Sequence, residues 1–368
     1  MRGVAANLRV GIIGVGWGSL VLAPAFGVAQ GYEVAALCSR QEQRVQAAAA
    51  KLGIAQATTD WRELIQQDDL DVIAICTPTP LHHEQAIGAL RAGKHVLCEK
   101  PVALDPGQAR EMADVAAETG LVNAVNFEGR WLRERLPVWE MVRDGYLGDP
   151  YLARVTTSAD YWHPDRPLQS EWMYSRAEGG GYLLGLASHD VDYLSALFGR
   201  PVAVCADVAT SVRERVRPDG SVLDVTADDT STVLLRMSSG ARCVISTTMM
   251  APLTDSRNLE AYGSAGAIVV DGRVQGDASN TTIRAGKQGA QVLVPVPLST
   301  REPDSDVEIP RRRAGEAIRA LALMLEDWRP AFGGSPTPVP GLEQGWLVAQ
   351  VVDAARRSSE GAGWVEIG

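Results

Sequence analysis

The sequence is poor in the features that would place it in a membrane, outside the cell or on nucleic acid. No stretch approaches the ~18 uninterrupted apolar residues of a membrane-spanning helix, and the start lacks the basic flank, apolar core and cleavage site of a secretory signal. The five cysteines are an odd number without metal spacing, and they lie in apolar runs: Cys38, Cys76, Cys98, Cys205 and Cys243. We therefore expect a reduced, cytoplasmic protein without disulfides or metal.

Basic charge is also scarce. The chain has 35 Lys and Arg against 45 Asp and Glu, a net charge of -10, whereas nucleic-acid binding depends on clustered basic residues. We expect neither a nucleic-acid nor a membrane partner. The single dense basic run, Arg311-Arg312-Arg313 after Pro310, is interpreted as a solvated helix start, with a phosphate or partner contact as the alternative.

The first third of the 368 residues alternates apolar strand patterns with helical patterns, which is typical of βαβ units. Predicted strands cover residues 10–13, 34–38, 72–76, 96–98 and 122–125. Predicted helices cover residues 41–51, 82–92 and 105–118, the last beginning with an Asp-Pro cap. The strands read as continuous apolar runs, as in a parallel sheet covered on both faces. We predict a doubly wound α/β Rossmann domain over residues 1–125.

After about residue 126 the pattern changes to alternating strands separated by Gly and Ser turns, which predicts an antiparallel sheet built from hairpins. Predicted strands cover residues 230–237, 242–248, 259–262, 267–270 and 364–367, and predicted helices cover 313–328 and 342–358. Residues 126–368 are thus expected to form an α+β domain with a large, mostly antiparallel open sheet, for substrate binding and oligomerisation. The final helix and strand are candidates to pack back on the first domain.

A glycine-rich turn follows the first strand, in the segment from Gly14 to Ser19. In the dinucleotide fingerprint the first Gly makes the turn, the second admits the pyrophosphate and the third packs helix on strand. Gly14 and Gly16 fill the first two places and Ser19 the third. The free amides here, with those of Trp17 and Gly18, favour a phosphate. The alternative is an apolar turn without a ligand.

The tip of the second strand carries Cys38-Ser39-Arg40. An NAD site usually has Asp or Glu there for the ribose 2′-OH. Ser39 can instead donate to a 2′-phosphate and Arg40 can form a charge-assisted pair with it. We predict NADP(H) as the preferred cofactor with NAD(H) possible, the alternative being that Arg40 is the exposed start of a helix.

A lysine closes the run of residues 93–101, Gly-Lys-His-Val-Leu-Cys-Glu-Lys-Pro. Lys100 follows an apolar strand, and ligands of open α/β sheets bind at the carboxyl ends of the strands. An ammonium beside the cofactor would stabilise the alkoxide charge that develops when an alcohol is oxidised. The alternative is a surface lysine paired with Glu99.

Together these segments resemble the Gfo/Idh/MocA oxidoreductases. The resemblance rests on Thr77-Pro78 with His82, residues 93–101, the Gly179-Gly180-Gly181 run with His189 and Asp192, and residues 262–271. It implies that Lys100 holds the substrate hydroxyl near the nicotinamide, with a cis bond before Pro101. It also implies cofactor contacts for Thr77, Pro78, His82, Glu99 and Asn126, and a substrate contact for Arg130.

His189 is the candidate for proton transfer, since imidazole titrates near neutrality. Family members commonly carry an Asp four residues earlier, where this chain has Gly185. The alternative is a core histidine bonded to Asp192. Of the other histidines, His95 is expected to be structural and His83 exposed.

An aromatic cluster supplies flat faces with polar tips, suited to a polyhydroxylated ring: Tyr161, Trp162, His163, Trp172 and Tyr174. Packing of domain on domain is an equal alternative.

The chain is thus expected to be an NAD(P)-dependent dehydrogenase or reductase acting on a secondary alcohol or ketone of a sugar, cyclitol or related cyclic polyol. The alternative functions are a redox-neutral glycosidase or lyase and a non-catalytic sensor. A homodimer or homotetramer is expected through the uncovered sheet face.

Overall fold

The computed structural model describes residues 7–274, 280–309 and 313–368, so Arg311 and Arg312 of the basic run lie outside the described residues. The chain forms two compact units. The first comprises Met1–Trp131 and Arg301–Trp346, and the second comprises Leu132–Thr300 and Leu347–Gly368. Within the described ranges, no helix combines the length and apolarity needed to cross a bilayer.

The strands, in chain order, are β1 (Leu8–Ile13), β2 (Tyr32–Cys38), β3 (Gln56–Thr58), β4 (Val72–Ile75), β5 (His95–Cys98), β6 (Asn123–Val125), β7 (Pro150–Ala159), β8 (Pro201–Ala209), β9 (Glu214–Val216), β10 (Val222–Asp224), β11 (Thr230–Met237), β12 (Arg242–Thr248), β13 (Asp255–Gly263), β14 (Gly266–Gly272), β15 (Thr282–Lys287), β16 (Val294–Val296) and β17 (Val365–Glu366). The α-helices are α1 (Ala23–Val28), α2 (Glu42–Leu52), α3 (Trp61–Ile65), α4 (His82–Arg91), α5 (Pro106–Thr119), α6 (Arg135–Arg143), α7 (Ser188–Phe198), α8 (Arg313–Trp328) and α9 (Leu342–Arg357).

The first unit is built on a six-stranded sheet in the order β3-β2-β1-β4-β5-β6. The strands pair in parallel, and β4 is buried along its whole length, as expected for a sheet covered on both faces. The Asp-Pro cap of α5 is confirmed: the Asp105 carboxylate accepts the Gln108 N–H at 3.0 Å, which stabilises the helix start. This is the predicted Rossmann architecture.

The second unit contains a nine-stranded sheet in the order β16-β15-β14-β13-β7-β12-β11-β8-β17. β7 and β12 run parallel and the other described pairings are antiparallel. The predicted α/β fold with a mostly antiparallel second sheet is therefore confirmed. The closing strand β17 pairs with β8 in this unit, and the segment that returns to the first unit is Arg301–Trp346.

One face of the nine-stranded sheet holds the core of the second unit. Along β11, buried and more exposed residues alternate, since successive side chains of a strand point to opposite faces. Val155, Ile245 and Val233, on three neighbouring strands, are at most 1% exposed. α7 packs against β12, which places the helix that carries His189 within this unit.

Candidate functional site

The loops that follow β1, β4, β5 and β6 lie at one edge of the parallel sheet. The backbone ladder continues beyond the strand ends: Cys76 N–H donates to Ile13 O at 2.7 Å, Glu99 N–H to Ile75 O at 2.9 Å, and Asn126 N–H to Cys98 O at 2.8 Å. The strand order reverses between β1 and β4. In open α/β sheets this reversal forms the crevice where ligands bind.

The glycine turn after β1 has almost no room for side chains at two of its positions. Gly14 has φ +106°, and a Cβ there would lie 2.1 Å from Cys76 O. A Cβ at Gly18 would lie 3.1 Å from Ile12 Cγ2, whereas Gly16 faces open space. The close approach of helix to strand, expected at Ser19, is therefore made by Gly18. The Ser19 hydroxyl instead donates to Val15 O at 2.5 Å.

The turn fits a pyrophosphate. Gly16 and Trp17 are exposed, and the chain enters a π-helical turn at Gly18 that continues into α1. Backbone amides at such a helix start attract a phosphate group. The absence of a side chain at Gly16 allows that group to approach the backbone.

Glu99 connects the loops after β5 and β6. Its Oε1 accepts a hydrogen bond from Asn126 Nδ2 at 2.6 Å, and its Oε2 accepts the Lys100 N–H at 3.2 Å. Burial raises the pKa of Glu99, while the Lys100 charge and the Asn126 hydrogen bond oppose the rise. Lys100 is half-buried, and its bond to Pro101 is cis, as the family resemblance implies.

His82 ties the loop after β4 to the loop after β5. Its ring is 1% exposed, with Nε2 at 2.7 Å from Thr77 O and Nδ1 at 2.8 Å from Pro101 O. Burial lowers the pKa of His82, and the two carbonyl contacts only partly offset this effect. Both ring nitrogens contact backbone carbonyls, so His82 holds together the loop after β4 and the loop that carries Lys100.

The segment after β2 presents one exposed cation. Ser39 N–H donates to Thr58 O at 3.2 Å, and the Arg40 side chain is exposed. Burial raises the pKa of the Cys38 thiol to about 12, so this cysteine remains protonated.

The other predicted contact residues of this unit differ in exposure. Thr77 is half-buried and Pro78 is exposed. Arg130 is 8% exposed and donates to Pro338 O at 3.4 Å.

In the second unit, a buried acid that sequence reasoning missed organises the glycine run before α7. The Asp228 carboxylate accepts the Leu183 N–H at 2.6 Å, and a Cβ at Gly181 would lie 2.3 Å from Asp228 Oδ1. A Cβ at Gly180 would lie 2.2 Å from Met173 O. Burial raises the pKa of Asp228. These contacts explain why the run requires glycine.

His189 lies in the first turn of α7 and is half-buried, while its neighbours Asp190 and Asp192 are buried. A Cβ built on Gly185, one turn earlier, meets no atom within 4 Å. The departure from the family's Asp thus leaves open space beside the helix, and a side chain could be accommodated there.

The aromatic residues fall into two groups. Trp162 and Tyr174 are at most 2% exposed, with ring centroids 4.5 Å apart, and Tyr182 packs edge-on against Trp162 at 4.8 Å. This contact within the second unit occupies the Trp162 ring. Trp172 is 40% exposed, and Tyr161 and His163 are half-buried. Trp172, Tyr161 and His163 are therefore accessible enough to contact a sugar.

Comparison with known proteins places this arrangement in a family. Residues 8–127 match the model described as oxidoreductase family, NAD-binding Rossmann fold, and residues 137–269 match the GFO/IDH/MocA C-terminal domain. The chain belongs to the Gfo/Idh/MocA family and is a nicotinamide-dependent oxidoreductase.

Individual relatives extend over most of the chain. Myo-inositol 2-dehydrogenase of Thermotoga maritima is 30% identical, over 78% of this chain and 81% of the relative. An NAD binding oxidoreductase from Klebsiella pneumoniae is 26% identical, with TM-score 0.87 and coverage of 99% and 100%. Levoglucosan dehydrogenase in complex with NADH and levoglucosan is 25% identical, with TM-score 0.85 and coverage of 98% and 99%.

Proposed function

We propose that the protein transfers a hydride between NAD(P) and a secondary alcohol or ketone of a sugar, cyclitol or related cyclic polyol. The observation that carries the proposal is the placement of Lys100. It follows β5 at the ligand-binding edge of the sheet, its backbone bonds the buried Glu99 carboxyl, and His82 holds the next carbonyl at Pro101. These contacts hold the Lys100 backbone at this edge, and an ammonium carried there can stabilise a developing alkoxide.

The cofactor's pyrophosphate would bind at Gly14, Gly16, Trp17 and Ser19, and its nicotinamide half would approach Thr77, Pro78, Glu99 and Asn126. When bound, the nicotinamide supplies the two-electron acceptor or donor. Gly14 supports this assignment, because the missing side chain there permits the tight turn beside Cys76.

Proton transfer is assigned to His189. In alcohol oxidation the hydroxyl proton passes to the imidazole, Lys100 stabilises the oxygen as its O–H bond breaks, and the C–H hydride leaves the substrate carbon as the carbonyl forms. The reverse direction uses the protonated imidazole as the acid. Arg130, Tyr161, His163 and Trp172 are proposed to contact the ring. Trp162 is buried and would act only by supporting these neighbours.

The ring substrate is inferred from chemistry and from similarity. Half-buried and exposed aromatic groups pack well against the apolar faces of polyol rings. The relatives named above include enzymes named for myo-inositol and levoglucosan, both cyclic polyols. We propose the same substrate class here.

NADP is proposed as the preferred form of the cofactor. Arg40 is exposed at the tip of β2, where a guanidinium can pair with a 2′-phosphate. Titration should give tighter binding of NADPH than NADH, and Arg40→Ala should weaken NADPH binding while leaving NADH binding nearly unchanged. Equal or tighter NADH binding by the native protein would reject the preference.

A homodimer or homotetramer is proposed through the outer face of the nine-stranded sheet. Thr156 on β7, and Thr232 and Leu234 on β11, are exposed there. Sedimentation should report an assembly of two or four chains, and Leu234→Glu should shift it towards the monomer. A monomer at micromolar concentration would contradict this proposal.

The reaction is tested by incubating the protein with NAD(P) and a panel of cyclic polyols while reduced-nicotinamide absorbance is followed. Lys100→Ala and His189→Ala should each lower kcat about 10²–10⁴-fold with cofactor affinity retained, and the exposed Lys51→Ala serves as the control. Product without net cofactor change would establish the glycosidase or lyase alternative. Unchanged turnover in Lys100→Ala would overturn the assignment of Lys100.

A further inference from the structure

A polar row crosses the buried face of the nine-stranded sheet. Arg257 on β13 is paired with Thr157 on β7, Thr157 with Thr247 on β12, and Thr247 with Ser231 on β11. The two threonines and the serine are at most 2% exposed. Residues on this face are expected to be apolar, because they alternate with the exposed positions of each strand.

The hydroxyls of Thr157, Thr247 and Ser231 have no hydrogen-bond partner among the described residues. On the opposite face of the same strands, hydroxyls do meet: Thr230 and Thr248 lie 3.0 Å apart. A buried hydroxyl without a partner costs about 1–3 kcal/mol, and native proteins satisfy most such groups. Three in one row therefore require an explanation.

A charged cluster extends the row at one end. Asp190 of α7 is fully buried, and its Oδ1 accepts hydrogen bonds from Arg135 and, at 2.6 Å, from Arg257. Arg135 Nη1, Arg257 Nε and Asp190 Oδ2 are buried and, within the described parts of the chain, have no partner. The Ser188 hydroxyl on α7 is also buried and has no hydrogen-bond partner among the described residues. The cluster thus offers unused donors and an unused acceptor.

The hydroxyls of the row face one another but do not meet. Thr157 is paired with Thr247, and Thr247 with Ser231, across adjacent strands, yet none of the three hydroxyls bonds another, so a bridging group between them must supply the missing hydrogen bonds. A single oxygen atom between each pair of hydroxyls would give both of them a hydrogen-bond partner.

The chemistry selects the molecule. An anion could accept from Arg135 and Arg257 but would face the carboxylate oxygen of Asp190, and a cation would be repelled by the two guanidiniums. The ligand must both donate and accept, as buried water does when it bonds about three polar groups. We propose that this row is a binding site for a string of internal waters, which join α7 to β7, β11 and β12. The proposal is independent of the reaction assigned above.

Thermal unfolding of the full chain tests the string. Thr157→Val, Thr247→Val and Ser231→Ala remove one hydroxyl each with little change in shape. Each should lower Tm by about 2–4 °C, because a water loses a partner and another group is left unsatisfied. The matched control is Thr300→Val, an exposed threonine outside the strands of the sheet, which should leave Tm within about 2 °C.

A double variant tests whether the two threonines share a water. Thr157→Val/Thr247→Val should lower Tm by less than the sum of the single shifts, because the first substitution already removes the shared molecule. A raised or unchanged Tm in the single variants would overturn the proposal, since that result is expected for hydroxyls buried without any partner. Additive shifts in Tm would reject the shared water. A Tm that rises with chloride concentration in the native protein but not in the variants would identify a bound anion instead.

Discussion

The backbone N–H of Leu183 donates to the Asp228 carboxylate at 2.6 Å, so a residue 45 positions further along the chain holds the start of the segment that carries His189. The Asp228 backbone carbonyl also accepts the Tyr182 N–H at 3.1 Å. These two bonds fix the chain just before the π-helical turn (Leu183–Ala187) that leads into α7. The buried carboxyl is therefore a positioning group for the proposed acid–base residue.

Removing the Asp228 carboxyl should disturb both stability and turnover. We expect Asp228→Ala to lower the free energy of unfolding by about 1–3 kcal/mol, because the Leu183 N–H loses its acceptor inside the protein, and to lower kcat more than it changes cofactor affinity. Asp228→Asn retains an acceptor and should restore most of both. Denaturant unfolding and steady-state kinetics provide the measurements. The exposed Asp224→Ala is the control, and an Asp228→Ala variant with native kcat would show that the contact is only structural.

Two glycines of the turn after β1 should respond differently to the same substitution. Gly14→Ala forces a side chain into φ +106° and within 2.1 Å of Cys76 O, so we expect a loss of stability above ~1–2 kcal/mol together with loss of cofactor binding. Gly16→Ala meets no protein atom within 4 Å and should leave Tm nearly unchanged while weakening cofactor binding. Fluorescence titration with NADPH and a thermal melt separate the two effects. Undiminished NADPH binding by Gly16→Ala would argue against a pyrophosphate at this turn.

Asp190 should contribute to the loss of stability in acid. Burial alone raises its pKa, but Arg257 and Arg135 outweigh that effect and hold the pKa below its ordinary value of 3.8. A lowered folded pKa means that the stabilisation is fully present above pH 3.8 and is lost as the pH falls through the folded pKa. Asp190→Asn should lower stability at neutral pH by about 3–5 kcal/mol, since it leaves the guanidiniums of the buried Arg135 and the half-buried Arg257 uncompensated.

The matched control for that variant is Glu260→Gln, which breaks an exposed pair with Arg154 at 3.2 Å and should change stability by less than about 1 kcal/mol. Urea unfolding at several pH values measures both variants. Equal losses in the two variants would contradict the assigned role of burial.

The adjacent histidines His82 and His83 should differ in their effect on pH stability. The pKa of His82 is lowered by burial from its ordinary 6.5, so its contribution is present above pH 6.5 and is lost as the pH falls below that value. His82→Ala should reduce stability at pH 8 and flatten this dependence. His83, half-buried and paired with Glu111 at 2.8 Å, should tolerate Ala. Parallel pH–Tm profiles for the native protein and His82→Ala would refute the prediction.

Much of the fold was predictable because the relevant signal is local. Buried parallel strands such as β4 read as continuous apolar runs, and β11 and β12 were bounded correctly by their alternation and the turn between them. β7, β8 and α6 were not predicted, since Arg154 and the threonines of β7 interrupt any simple apolar pattern. Their identity depends on pairing with strands distant in the chain.

The site divides in the same way. The sequence by itself determined the glycine turn, Lys100 after its strand and the family, because each is carried by neighbouring residues. Only the tertiary structure decided that Gly18 makes the close helix approach, that His82 spans two loops, that Trp162 is buried and that Asp228 holds the segment before His189. Each of these is a contact between residues apart in the sequence, which no local spacing encodes.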